Sequence, residues 1–483
     1  VGAALSAFAV PAGSGTVRCP AIAIAAPSSG QGKTTVTAAL ARLHARQGRH
    51  VRVFKCGPDF LDPCWHELAS GAPVHAIDLW MTGEADAAAR LHAAAVEADL
   101  VLVEGVMGLF DGTPSLADLA QRFGLPVLAV VDASAMAGTF GALAWGLRHY
   151  RPGLPWAGVL ANRVGSERHA GMLQGSLADA QDWLGALPRV VPAQDAGAAP
   201  QPARQRAGLL PERHLGLVAA HELADGLARI DQAADALAQT PLGRLSIEDW
   251  RQRFSVDFEA PAPQAAVPPL LAGRTVAVAD DAAFCFIYRA NLDTLQALGA
   301  RVVRFSPLAD AQLPGCDAVW LPGGYPELHA ERLAANTGMQ ASLRAHVAAG
   351  RAVWAECGGM MVLFESITLA DGATRQPLWG LLPGHVAMQR RLAALGPQQL
   401  DLGGHVLRGH TFHYSTCDSR ADVRTHTTRP EAGSGPCEAL YRHGSIHASY
   451  FHAWFPSSPR AVAALFGAEG ALQAEPGAHG DVA

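Results

Sequence analysis

The stretch Ala21-Ile22-Ala23-Ile24-Ala25-Ala26-Pro27-Ser28-Ser29-Gly30-Gln31-Gly32-Lys33-Thr34-Thr35 runs from a continuous apolar segment through a glycine-rich turn into an Ala-rich helix. A nucleoside triphosphate needs a tight loop of converging backbone N–H groups, a lysine reaching the terminal phosphates and a hydroxyl for Mg2+. Gly30, Gln31 and Gly32 supply the loop, Lys33 the cation and Thr34 the hydroxyl, with Thr35 completing the first helical turn. Pro27 stands where the G-x-x-x-x-G-K-[ST] pattern has its first glycine, so the assignment rests on the strand, the GKT and the helix together. A surface lysine on an ordinary glycine turn is the plainer alternative, and the strand-to-helix setting argues against it.

The same unit recurs on either side. Residues 51–54, interrupted only by Arg52, and 100–103, 127–131 and 158–161 are further short apolar runs, and the helical segment 34–47 is stopped by Gly48. Runs without period-two alternation suit strands buried on both faces, joined by helical crossovers. The fold class is α/β, with a doubly wound parallel sheet spanning 18–257. Pattern is lost in the Ala/Pro/Gln-rich stretch 192–208, expected to be a surface loop, and again in a linker at 258–271. A second α/β series then begins with strands at 275–279, 302–305, 318–321 and 352–355, giving a second domain at 272–470 and a loose tail.

Composition narrows the function. In 483 residues, 37 Lys+Arg against 43 Asp+Glu give a net charge of −6, and only 17% of residues are charged. That balance fits neither a nucleic-acid partner nor a disordered polyelectrolyte. Every apolar run is broken well short of a membrane span, so no membrane partner is expected. Residues 1–15 lack a basic start and make a poor signal peptide. Eight scattered cysteines without a CxxC point to a reducing compartment, the cytoplasm.

Acidic residues fall where a phosphate site needs them. Glu104 ends the strand at 100–103, the usual place for a carboxylate on the Mg2+ side, and Asp59, with Asp62 close behind, follows the strand at 51–54. Either aspartate could instead cap the turns around Pro58 and Pro63. Asn162, just past the strand at 158–161, is a candidate for hydrogen-bonding a nucleotide base.

A second chemical site lies in AVWAECGGMM, where a buried strand runs into Cys357 and two glycines. This is the pattern of a nucleophile elbow: a sharp turn exposes the thiol, and the following N–H groups stabilise thiolate and oxyanion. The Gly323-Gly324 turn of WLPGGYPE can bring a second N–H, so Gly324 and Gly358 are the oxyanion-hole candidates. The thiol needs a base. His452 in ASYFHAWF is the leading choice, with His447, His410 and His413 as competitors.

In order, APSSGQGKTT, FKCGPDFLDP, VEGVMGLFDG, LPERHLGL, ADDAAFCFIY, LPGGYPE, ECGGMM, GHTFHYS and ASYFHAWF resemble the cobyrinate (or hydrogenobyrinate) a,c-diamide synthases of cobalamin biosynthesis. The first half is similar to dethiobiotin-synthetase-like P-loop enzymes and the second to class I glutamine amidotransferases of the cobyrinate type, a flavodoxin-like α/β domain. The resemblance implies two sites. Cys357, with His452 as base, would release ammonia from glutamine. Mg2+ and ATP at Gly30–Thr35, with Thr34, Asp59 and Glu104 on the metal side, would activate the a and c acetates of a corrinoid as acyl phosphates. The implied partners are the corrinoid, glutamine and ATP, and a homodimer is the candidate assembly.

Two positions depart from the family pattern. Trp454 stands where many class I glutaminases carry an orienting Glu, and Thr411 where the family's GHEFHYS has Glu. Glu212, Arg213 and His214 are candidates to meet substrate carboxylates, and Tyr288 and Arg289 to face the partner domain. Alternatives are a cobyric acid synthase, a nickel-sirohydrochlorin a,c-diamide synthase and, in another class, a partitioning or regulatory P-loop ATPase. Ser28, where such ATPases carry a signature Lys, and the elbow at Cys357 both argue against the last.

Overall fold

The computed structural model describes residues 15–189, 210–213, 216–218, 220–262, 267–430, 437–468 and 470–473. The leader through residue 14, the stretch 192–208, His214 and the tail beyond 473 lie outside the described residues, as do the side chains of Glu212 and Arg213. The chain separates into two compact units, Val10–Pro263 and Gln264–Ala483.

The first unit opens with β1 (Val17–Ala25), α1 (Lys33–Arg46), β2 (Val51–Cys56), α2 (Asp62–Ser70), β3 (His75–Ile77), α3 (Glu84–Glu97) and β4 (Leu100–Gly105). It continues with α4 (Leu116–Phe123), β5 (Val127–Asp132), α5 (Thr139–His149), β6 (Trp156–Val164), α6 (Glu167–Gln174) and β7 (Trp183–Pro188). A short pair, β8 (Glu212–Arg213) and β9 (Gly216–Leu217), precedes α7 (Gly226–Leu237), α8 (Ile247–Phe254) and β10 (Ser255–Phe258). The sheet order is β3-β2-β4-β1-β5-β6-β7, with β10 paired to the start of β1. Neighbours along the path are parallel and β10 is antiparallel.

β1 shows why these runs are continuously apolar. Ala21, Ala23 and Ala25 pack into one core with Phe54, Val101 and Val103, while Ile22 and Ile24 pack into another with Val36 and Leu40 of α1. Both faces are covered, so no position can be polar without cost. β1 lies between β4 and β5, and the chain winds away on both sides of it. The loop after β1 therefore opens at the switch point, where parallel sheets bind ligands.

The second unit contains β11 (Thr275–Ala279), α9 (Arg289–Ala297), β12 (Arg301–Phe305), β13 (Ala318–Leu321), α10 (Ala330–Ala335), α11 (Thr337–Ala348), β14 (Ala352–Glu356) and α12 (Gly358–Met361). After these come β15 (Ser366–Thr368), β16 (Arg375–Pro377), β17 (Gly384–Met388), β18 (Ala394–Leu402), β19 (His405–His413) and β20 (Ser415–Ser419). The last elements are β21 (Asp422–His426), β22 (Ala439–His443), β23 (Ile446–Ser449), β24 (His452–Ala453) and α13 (Pro459–Leu465). The main sheet runs β12-β11-β13-β14-β23-β22-β21, parallel as far as β23 and antiparallel beyond it. β18, β19 and β24 form a small separate sheet. Among the described residues no helix is long and apolar enough to cross a membrane.

Candidate functional site

The turn after β1 is fixed from several directions. Gly32 caps α1 at φ 95°, ψ 20°, a left-handed conformation natural to glycine, and a Cβ there would run into Asn162 Nδ2. The Asn162 amide donates to the Gln31 carbonyl at 2.9 Å, so it fastens the loop to the end of β6. Arg163 adds to the fastening, with Nη1 3.1 Å from Gly30 O and 2.6 Å from Asp132 Oδ2. The Gln31 side chain accepts the Asp132 N–H at 2.8 Å. Lys33 is buried and donates to Met107 O at 2.5 Å and to Ser28 O at 3.3 Å. Burial holds its pKa below the ordinary lysine value.

Beneath the loop lies a cluster only partly foreseen in the sequence. Thr34 Oγ1 is 2.9 Å from Glu104 Oε1 and 3.0 Å from Asp62 Oδ2. Lys55 Nζ reaches both carboxylates, at 2.5 Å from Asp62 and 3.2 Å from Glu104, and His66 Nε2 bonds the other Glu104 oxygen. Asp59 is set back: its Oδ1 accepts the N–H groups of Leu61 and Asp62, and its Oδ2 lies 3.6 Å from Lys55. Hence Asp62, rather than Asp59, stands beside Thr34 and Glu104. Burial works against charge on Lys55, but Asp62, Glu104 and Asp59 outweigh it and hold the ammonium. Burial likewise opposes ionisation of Glu104, and Lys55 and His66 overcome that to keep it a carboxylate.

This oxygen-rich set fits Mg2+. Among the described residues no three His, Cys, Asp or Glu side chains form a ready-made metal cage. Mg2+ at a nucleotide takes one or two carboxylates, with phosphate oxygens and waters completing its shell. Thr34, Asp62 and Glu104 would hold it, and it would supply charge neutralisation for the phosphates.

In the second unit Cys357 follows β14 at φ 45°, ψ −109°, a strained conformation for a residue with a Cβ. Its N–H donates to Ser449 O at 2.8 Å, and the Gly358 N–H bonds its sulfur. A Cβ on Gly358 would lie 2.9 Å from Gly324 N and 2.8 Å from Pro326 Cδ, so the two glycine turns pass at backbone contact. α12 has only four residues, which leaves these local N–H groups as the main stabilising feature. Burial pushes the Cys357 thiol up, and Glu327 and Glu438 push it the same way.

The structure sorts the four histidines. A Cβ on Gly323 would run into His452 Cε1 and lie 3.2 Å from its Nδ1, so His452 borders the same glycine turn that meets Gly358. His447 lies on β23 with Nε2 3.3 Å from Arg424 Nη1. His413 bonds Ser415 O at 2.8 Å and Glu438 Oε1 at 3.1 Å, and Thr411 donates to the same Glu438 oxygen at 2.8 Å. His410 stacks on His452 with centroids 5.0 Å apart. Burial keeps His452 well below the ordinary histidine value, with His410 and His413 adding to the effect.

Sequence reasoning passed over three residues here. Lys55 and His66 complete the acidic cluster, and a lysine directly after the run at 51–54, which only Arg52 interrupts, was the available signal for the first. Glu356 sits buried next to the nucleophile candidate, accepting from Trp354 Nε1 at 2.7 Å and from the Ala453 N–H at 3.3 Å. Tyr288, expected at a domain face, is buried and packs against Trp454 and His410 of its own unit. Arg289 opens α9 and lies 3.6 Å from Asp293.

Known families match both units. Residues 22–202 match the CobQ/CobB/MinD/ParA nucleotide binding domain, and residues 275–460 the CobB/CobQ-like glutamine amidotransferase domain. A protein of Stutzerimonas stutzeri named hydrogenobyrinate a,c-diamide synthase is 55% identical over 92% of this chain and 98% of its own length. One of the same name from Pseudomonas aeruginosa is 54% identical over 93% and 97%. A cobyrinate a,c-diamide synthase of Herminiimonas arsenicoxydans is 46% identical over 93% and 97%. The chain belongs to the hydrogenobyrinate/cobyrinate a,c-diamide synthase family.

Proposed function

We propose that this protein is an ATP-dependent, glutamine-hydrolysing a,c-diamide synthase that amidates two acetate side chains of a corrinoid. Hydrogenobyrinate is the favoured substrate, because the relatives at 55% and 54% identity carry that name; cobyrinate is the second reading, from the relative at 46%. The observation that carries the proposal is likeness to these synthases along nearly their whole length, through both units.

At the first site the Cys357 sulfur attacks the side-chain amide carbon of glutamine while His452 takes the thiol proton. The Gly358 and Gly324 N–H groups hold the oxyanion. The C–N bond breaks, ammonia leaves with a proton from His452, and water hydrolyses the thioester to glutamate. At the second site a corrinoid carboxylate oxygen attacks the γ-phosphorus of ATP, releasing ADP and leaving an acyl phosphate. Ammonia then attacks the acyl carbon and phosphate departs, giving the amide. Without this activation a carboxylate is a poor acceptor for ammonia. Gly30, Gln31, Gly32, Lys33, Thr34 and Thr35 cradle the phosphates, and Asn162 holds the loop that does so. Thr34, Glu104 and Asp62 would hold Mg2+, with Asp59 set behind them. All eight cysteines are free thiols, in keeping with work in the cytoplasm.

The test is ATP consumption and glutamate release with Mg2+ and glutamine, comparing hydrogenobyrinic acid, cobyrinic acid and no corrinoid, with mass spectrometry of the product. Two OH-to-NH2 exchanges on one corrinoid establish the reaction and its substrate. Equal ATP hydrolysis without corrinoid, and no mass change, would refute it.

A further inference from the structure

We propose that His410 is a positioning residue for His452, setting the plane of its imidazole by ring stacking. The proposal rests on the reading of His452 as the base for Cys357. The two histidines are directly opposed across the antiparallel pair of β19 and β24. Their rings lie nearly parallel, 16° apart in plane, with centroids at 5.0 Å. Both are buried. Directly opposed side chains on one face of a strand pair are the closest cross-strand neighbours, so each ring limits the other's rotation.

His410 is itself held from the far side. Its Nδ1 lies 3.4 Å from the Tyr288 hydroxyl, and the Tyr288 ring meets it edge-on at 6.1 Å. Tyr288 in turn packs edge-on against Trp454 at 5.2 Å. Phe286 approaches His452 from another direction, at 6.2 Å, and Gly323 leaves no room for a side chain beside the ring. The imidazole is thus caged by Phe286, Gly323 and His410. Of these His410 presents the parallel face, and Tyr288 keeps that face from turning. A base must meet the nucleophile's proton in one orientation, so loosening the cage lowers turnover more than it weakens substrate binding.

The test measures glutamine-dependent turnover and KM for glutamine in His410→Ala, His410→Phe and Tyr288→Phe, with His452→Ala alongside and ammonia-dependent synthesis as the control for folding. His410→Ala is expected to lower kcat with glutamine by about 10- to 100-fold while KM for glutamine stays within about threefold. His410→Phe, which keeps a flat ring, restores most of the loss. Tyr288→Phe, which removes only the hydroxyl, lowers kcat by a few-fold and decides the matter if the His410 variants do not fold. Unchanged kcat in His410→Ala, a loss confined to KM, or a phenylalanine variant as poor as alanine would overturn the proposal. If His452→Ala keeps full glutamine turnover, it is the reading of the base that fails.

Discussion

Lys55 and Glu104 stand opposite each other in register on β2 and β4, with Nζ 3.2 Å from Oε1 and both side chains sealed from solvent. In a parallel sheet such partners share a face, so the pair is set by the strand alignment itself. Asp62 closes the group at the start of α2, and Thr34 joins it to the phosphate loop. One buried ammonium thus faces the Glu104 carboxylate and Asp62, whose carboxyl burial and Asp59 push up to about 7, at the place where the proposed Mg2+ would sit.

Removing that ammonium leaves Asp62 and Glu104 facing each other in a low-dielectric interior. Lys55→Met is expected to cost about 3–5 kcal/mol of stability, because it strands the buried Glu104 carboxylate. Urea unfolding measures the loss, and added Mg2+ is expected to recover part of it by replacing the missing cation. An unaltered midpoint would mean that the cluster is not ionised.

Two substitutions separate the sites. Cys357→Ala is expected to abolish glutamine-dependent amidation while leaving amidation with added ammonia near the unmodified rate. Lys33→Ala is expected to remove amidation with either nitrogen source. Failure of ammonia to rescue Cys357→Ala contradicts the two-site division, and amidation retained in Lys33→Ala contradicts the phosphate-loop assignment.

The raised thiol of Cys357 and the lowered imidazole of His452 make both groups neutral at pH 7 before glutamine arrives. Alkylation of Cys357 by iodoacetamide in the glutamine-free enzyme is therefore expected to be slow at neutrality and to climb in the alkaline range. A rate already on its plateau below pH 7 would reveal a thiolate–imidazolium pair instead.

Burial holds the Glu356 carboxyl up at about 8, against an ordinary value of 4.5, despite the N–H groups of Trp354 and Ala453. The folded state binds this proton more tightly than the unfolded chain does. Its contribution to stability is therefore full below pH 4.5, declines as pH rises to about 8, and stays lost above that. Glu356→Gln keeps an acceptor oxygen and cannot titrate, so unfolding midpoints across this window should slope less than in the unmodified protein. Glu356→Ala leaves two buried donors unpaired and should cost about 1–3 kcal/mol.

The fold was largely legible because local sequence carries it. A strand buried on both faces reads as an unbroken apolar run, as at 21–25, 276–279 and 318–321. A phosphate loop must be contiguous, and so must a turn like that at Cys357, where the Gly358 N–H bonds the preceding residue's sulfur. Departures at single positions were legible as well. Trp454 occupies the place of an expected Glu, and it proved to be part of the packing around Tyr288.

What the sequence withheld are relationships between strands. Asp59 and Asp62 are equally good carboxylates three residues apart, and only the start of α2 turns Asp62 toward Thr34 while Asp59 is consumed in capping. Lys55, Glu104 and His66 come together through sheet register and a helix laid beside it. That His452, among the four candidate histidines, borders Gly323 is likewise set by packing. Sequence therefore determined the two α/β units, the glycine-rich loop after β1 and the sharp turn at Cys357, since these need only neighbouring residues. Tertiary structure decided which carboxylate stands beside Thr34, which histidine borders Gly323 and which counter-charge meets Glu104, because those are distances between elements, set by strand alignment and packing.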